Sequence, residues 1–139
     1  MTNTINKKEK NKMTNTIKID NVDYVRADSL NVSAPEVEGL EYKIFRTYSS
    51  GVFGGYLAEK KDSVGHFKCV VKKARRFHYW EGAASLSQLA EEGATKSKHS
   101  DCRFAMELTG DLELPNVVEI ISVTAKAKAN IDEIPVWRV

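Results

Sequence analysis

The residues best equipped for chemistry lie in one run, Arg75-Arg76-Phe77-His78-Tyr79-Trp80-Glu81-Gly82-Ala83-Ala84-Ser85. Two arginines and three aromatic rings come just before an expected helix start. A helix start offers free N–H groups and a partial positive charge, so it can hold a phosphate. Arginine adds bidentate hydrogen bonds to phosphate oxygens, and rings and guanidinium planes stack on a base. Gly82 and Ala83 are small enough to let a phosphate reach the backbone. The same run also reads as a β-to-α junction with core aromatics and solvated arginines, and Glu81 would compete for the same donors. If the run is a strand, Arg75 and Arg76 point to opposite faces, and only one of them can line a given pocket.

A second candidate is Arg46-Thr47-Tyr48-Ser49-Ser50-Gly51-Val52-Phe53-Gly54-Gly55. A strand ending in hydroxyls and glycines can present backbone N–H groups to an anion, and glycine permits tight turning or close approach. The run matches neither the P-loop nor the dinucleotide fingerprint, and it reads equally as an ordinary hairpin turn.

Catalytic arrangements are missing. His66, His78 and His99 show no metal-ligand spacing, there is no GxSxG, and Cys69 sits in an alternating strand segment where it packs. No cofactor or metal is expected. Binding fits these residues better than catalysis.

Patterning supplies the elements that would carry these groups. Thr16–Ile19 and Val22–Val25 are short β-prone runs joined by Asp20-Asn21, which suits a tight hairpin. Arg26–Leu40 reads as a linker, with room for a short helix around Asp28–Val32. Strands are expected at Glu41–Tyr48, Val52–Glu59 and His66–Lys73, the last continuing through Trp80, with a turn over Lys60–Gly65. Gly82–Gly93 reads as a helix, with Ala83, Leu86, Leu89 and Ala90 on one face and Gly93 ending it. Another strand follows at Val117–Val123, Thr124 caps a helix through Ala129, and the segment holding Pro135 and Trp137 packs back on the body. The expected class is α+β: a small antiparallel β-rich sheet carrying one or two short helices, preceded by a β-hairpin. The expected organisation is a disordered basic tail over 1–12, hairpin and linker over 13–40, and a ligand-binding domain over 41–139.

Composition sets the outer limits. A chain of 139 residues with 42% hydrophobic and 29% charged residues can bury a core of its own. Residues 1–12 carry a net charge of +3, leaving −1 for the rest of the formal +2, so bulk charge does not make the domain a nucleic-acid binder. Met1-Thr2-Asn3-Thr4-Ile5 recurs as Met13-Thr14-Asn15-Thr16-Ile17, which reads as a duplicated start with Met13 an internal initiation site. The opening residues lack the apolar stretch of a secretory signal, and no apolar run reaches the length of a membrane span. Two unpaired cysteines, Cys69 and Cys102, read as reduced thiols in a cytosol.

The run Arg46–Leu57 and the run Ala74–Ala90 resemble a family of small phage-encoded proteins, the first described Thoeris anti-defence proteins. The likeness spans about Glu41 to Trp137 and takes in Cys102-Arg103-Phe104 and Ile134-Pro135-Val136-Trp137. It implies a sponge that binds cyclic ADP-ribose isomers, or other cyclic nucleotides, without cleaving them, so that a defence effector is deprived of its signal. It also implies host cytoplasm as the location and a homo-oligomer, a dimer or a hexamer built as a trimer of dimers, with no membrane partner. Within the matched blocks, the chemistry selects Arg46, Tyr48, Ser49 and Phe53 in the first as ligand-binding residues. In the second it selects Arg75, Arg76, Tyr79, Trp80, Ala84 and Ser85, with Arg103 beyond. The alternative is a phage inhibitor whose arginine–aromatic cluster grips nucleic acid or a host defence protein.

Overall fold

The computed structural model describes residues 16–19, 22–25, 32–94 and 99–139. The expected tail over residues 1–12 lies outside these, as does the expected helix around Asp28–Val32 apart from Val32. The chain forms two units, Met1–Val32 and Ser33–Val139. In the first, β1 (Thr16–Ile19) pairs antiparallel with β2 (Val22–Val25), with Ile19 opposite Val22. That is the register of a hairpin with a two-residue connection, as Asp20-Asn21 suggests.

The second unit is a small five-stranded antiparallel sheet with two helices. Its elements are β3 (Glu41–Thr47), β4 (Val52–Ser63), β5 (His66–Tyr79), α1 (Leu86–Glu92), β6 (Arg103–Phe104), β7 (Leu112–Ser122) and α2 (Ala125–Glu133). The order is β4-β3-β7-β5-β6, and β4 also pairs with β5. Strands β3, β4, β5 and β7 therefore close into a hydrogen-bonded ring, which leaves β6 outside it. β4 pairs with β3 and β5, and β5 with β4, β6 and β7; the β4–β5 ladder is interrupted by register shifts, one between Gly54 and Tyr56 where Lys73 takes a φ of 54°. The turn expected over Lys60–Gly65 is shorter than its composition suggests: β4 runs on through Ser63, with Ser63 opposite His66.

Ring closure explains a burial pattern that alternation alone misses. Ile44 and Phe45 are consecutive and both fully buried, because β3 is covered on both faces. Phe45, Phe53, Cys69, Val71, Ala74, Leu114 and Val117, drawn from all four ring strands, form one core. A second core joins Tyr42, Ile44, Tyr56, Phe77 and Phe104 to Leu89, Ala90, Ala127 and Ile131 of the helices. Gly54 and Gly55 are small for packing reasons. A Cβ on Gly54 would lie 2.3 Å from the Tyr42 hydroxyl and 2.4 Å from Phe77, and one on Gly55 would lie 2.4 Å from Val71.

Ser33–Leu40, which composition reads as linker, belongs to the second unit: Ala34 is buried and its N–H donates to the Val123 carbonyl at 2.9 Å. The helix expected from Gly82 begins only at Leu86, because Ser85 is extended (φ −151°) and caps it with its side chain. Gly93 ends α1 at φ 77° as expected, and Thr124 caps α2, which extends to Glu133. Both helices are too short to persist alone and are held by the apolar side chains they bury. Thr124 Oγ1 joins them by donating to the Glu91 carbonyl at 2.7 Å.

Candidate functional site

Register brings the two chemically rich runs to one end of the sheet. Arg46 pairs with Val52, Val52 with Phe77, and Phe77 with Phe104, so β3, β4, β5 and β6 lie side by side there. One residue along, Phe53 pairs with Arg76; at the outer edge, Tyr79 pairs with Arg103.

The residues at this end fall into three groups. Around the β3–β4 turn, Arg46 Nε meets Glu119 Oε1 at 2.6 Å, Tyr48 is 83% exposed, and the Ser49 hydroxyl accepts from Asn116 Nδ2 at 2.9 Å. The turn closes on itself, since Thr47 N–H and Oγ1 both donate to the Gly51 carbonyl and Ser50 N–H donates to Thr47 Oγ1. Gly51, at φ 98°, supplies the conformation this requires.

Arg75 and Arg76 separate as strand geometry requires. The Arg75 guanidinium turns inward and donates to main-chain carbonyls: Nε to Ala105 at 2.7 Å, Nη1 to Ile131 at 3.1 Å, Nη2 to Ile134 at 2.7 Å and Pro135 at 3.2 Å, with Phe104 at 3.4 Å. Burial lowers its pKa from the usual arginine value, against the raising influence of Tyr42, Asp132 and Glu107. Arginine keeps its proton through such a shift. Arg76 is exposed, with its guanidinium carbon 4.6 Å from the centre of the buried Phe53 ring. Beneath it lies a cavity of about 170 Å³ lined by Phe53, Ala74, Ala105, Met106, Leu108 and Leu112.

The third group is the most open. A register shift between Phe77 and Tyr79 sends Phe77 inward, stacked on Phe104 at 4.0 Å, and Tyr79 outward beside Arg103. The Arg103 guanidinium carbon lies 6.0 Å from the Tyr79 ring and 5.4 Å from the Trp137 ring. Each of these rings is 46% exposed, and His78 meets Trp137 edge-on at 5.3 Å. Among the described residues neither Arg76 nor Arg103 forms an ion pair. The Tyr79 hydroxyl donates to Glu81, which raises the phenol pKa and orients the ring. Trp137 and His78 are members of this group that residue-type reasoning left out of the ligand set. The signal available for Trp137 was its place in a segment expected to fold back on the body.

Trp80, Ala84 and Ser85 do other work. Trp80 packs half-buried against the helix-side core. Ser85 Oγ accepts from Gln88 N–H at 3.1 Å and Gln88 Oε1 accepts from Ala84 N–H at 2.7 Å. The start of α1 is thus capped by its own side chains. Two larger hollows, about 500 and 540 Å³, lie away from the aromatic cluster. The first sets Lys60, Lys61 and Lys68 against Glu59 and Glu113, a mixed lining that favours neither sign of ligand. Among the described residues no group of histidine, cysteine and carboxylate side chains is placed to hold a metal. Both cysteines are free and buried. No helix is long and apolar enough to cross a membrane.

What this end of the sheet presents is the Arg103 guanidinium beside the half-exposed rings of Tyr79 and Trp137, with Arg76 exposed over the buried Phe53 ring, groups that can meet a flat, negatively charged molecule. Residues 40–131 match the model of a domain of unknown function, DUF6948, and the chain belongs to that family. No curated protein matches the chain. No solved structure matches it.

Proposed function

We propose that this protein binds and sequesters a cyclic ADP-ribose-type signal, releasing it unchanged, and so acts as a phage anti-defence sponge in the host cytoplasm. The observation that carries the reading is Arg103, held between the half-exposed rings of Tyr79 and Trp137 with no carboxylate paired to it among the described residues. A base can stack on either ring, and a phosphate can take bidentate hydrogen bonds from the guanidinium. Arg76 at the same end of the sheet adds positive charge toward a second phosphate, while Arg46 is already paired with Glu119. Sequestration asks only for such donors and rings, and it needs no general base. A homo-oligomeric state belongs to the same reading.

The experiment is a depletion and release assay. The protein is incubated with cyclic ADP-ribose isomers, the free fraction is measured, and the complex is heat-denatured for chromatography. A sponge depletes the ligand and returns it intact. Recovery of ADP-ribose instead identifies an enzyme. Undepleted ligand shifts the cluster to nucleic acid or a protein partner.

A further inference from the structure

We infer that Arg75 is a positioning residue for the Tyr79–Arg103–Trp137 cluster, acting through the main chain that carries Trp137 without touching the ligand; the inference rests on reading that cluster as the ligand site. The five carbonyls that Arg75 meets come from two stretches, Phe104–Ala105 beside β6 and Ile131–Pro135 at the end of α2. One guanidinium therefore ties the chain leaving α2 to the chain leaving β6. The next two residues complete the join: Val136 bridges Phe104 in parallel, and Trp137 N–H donates to the Phe104 carbonyl at 2.9 Å. Phe104 follows Arg103, so this join sets the Trp137 ring at its 5.4 Å from the guanidinium.

The chemistry calls for arginine. A planar fork can reach carbonyls on two segments at once, whereas a lysine ammonium is a single point with three donors. Among the described residues no carboxylate lies within ion-pair distance of Arg75, which leaves its donors to the main chain. Its positive charge also sits where the last carbonyls of α2 concentrate negative charge. Pro135 has no N–H to give, and the Ile134 and Pro135 carbonyls just before the Val136 bridge both accept from this side chain.

The test uses the full chain labelled with 5-fluorotryptophan. There are two tryptophans, so the fluorine spectrum carries two resonances, and Trp137→Phe assigns them. In Arg75→Lys the Trp137 resonance should move toward the position of free tryptophan while that of Trp80 stays in place, a selectivity that general loss of stability would not give. Affinity for cyclic ADP-ribose is measured alongside in native, Arg75→Lys, Trp137→Ala and the double variant. Arg75→Lys should weaken binding by about tenfold in the native background and by less than about twofold once Trp137 is alanine, as for coupled residues. An unmoved Trp137 resonance in a folded Arg75→Lys protein overturns the inference. So does an equal affinity loss in both backgrounds, or failure of both Arg75→Lys and Arg75→Met to fold, which would make Arg75 a core strut. If the native protein does not bind cyclic ADP-ribose, the ligand reading fails, and the fluorine spectra alone decide the role of Arg75.

Discussion

Arg75 and Arg76 are neighbours on β5 with opposite surroundings: Arg75 Nη2 lies 2.7 Å from the Ile134 carbonyl, and the Arg76 guanidinium carbon lies 4.6 Å from the centre of the Phe53 ring. The first side chain faces main-chain oxygens of the interior, the second solvent and one ring. Their removal should differ accordingly. Arg75→Ala leaves several carbonyls without a charged donor and should cost on the order of 2–4 kcal/mol of folding stability. Arg76→Ala loses an exposed cation–π contact and should cost under about 1 kcal/mol. Urea unfolding of the two single variants measures both.

Gly54 and Gly55 permit a second comparison. At Gly54 a methyl group meets the Tyr42 hydroxyl and the Phe77 ring, and at Gly55 it meets Val71 and the Ala74 backbone. Overpacking of this kind costs about 1–3 kcal/mol or more. Gly55→Ala should be the worse of the two, because the Ala74 Cα at 3.1 Å is backbone and cannot rotate aside. Gly110→Ala, where the added carbon meets nothing within 4 Å, serves as the control in thermal melts.

Alkaline pH should weaken the fold through Tyr42. Burial raises its pKa far above the ordinary tyrosine value, and burial likewise raises that of the Cys69 thiol. In the folded protein both groups keep protons that the unfolded chain releases. Their contribution is therefore fully present below the unfolded values, about 8.5 for cysteine and 10 for tyrosine. It is lost progressively as pH rises beyond them. The urea midpoint should fall between about pH 8 and pH 11, with a shallower fall in Tyr42→Phe. Equal slopes in the two proteins would contradict the assignment.

Ser85 caps the start of α1 through its side chain. Ser85→Ala removes the acceptor for Gln88 N–H and should cost about 1 kcal/mol. Affinity for cyclic ADP-ribose should stay within about twofold of native, since a change that small lies inside the error of additivity for unlinked sites. A larger loss would return the helix start to the ligand site.

Local chemistry made several features legible in advance. β1 and β2 pair as the short β-prone runs suggested, Thr124 caps α2, and Gly93 ends α1; the last two act on backbone within a few residues. The two arginine-bearing runs were recognisable by residue type, and register lays them at one end of the sheet. What stayed hidden depends on distant partners. The carbonyls that hold Arg75 lie 29 to 60 residues away, and nothing local to β5 announces them. Ring closure depends on register shifts in β4 and β5, which periodicity does not encode. Gly54 and Gly55 look like room for a ligand, yet that room is filled by Tyr42, Phe77 and Val71.

The most direct measurement is the affinity of native protein, Arg103→Ala and Arg46→Ala for a cyclic ADP-ribose isomer by calorimetry, with melting temperatures taken alongside. Arg103 has no carboxylate partner among the described residues, whereas Arg46 Nε already meets Glu119 at 2.6 Å. Arg103→Ala should cost on the order of 2–4 kcal/mol in binding, as for a charged partner desolvated by its ligand. Arg46→Ala should cost under about 1 kcal/mol, in keeping with a group at the rim of the site. Both variants should melt close to the native protein. Native affinity retained in a folded Arg103→Ala variant would contradict the account and place the ligand elsewhere on the molecule.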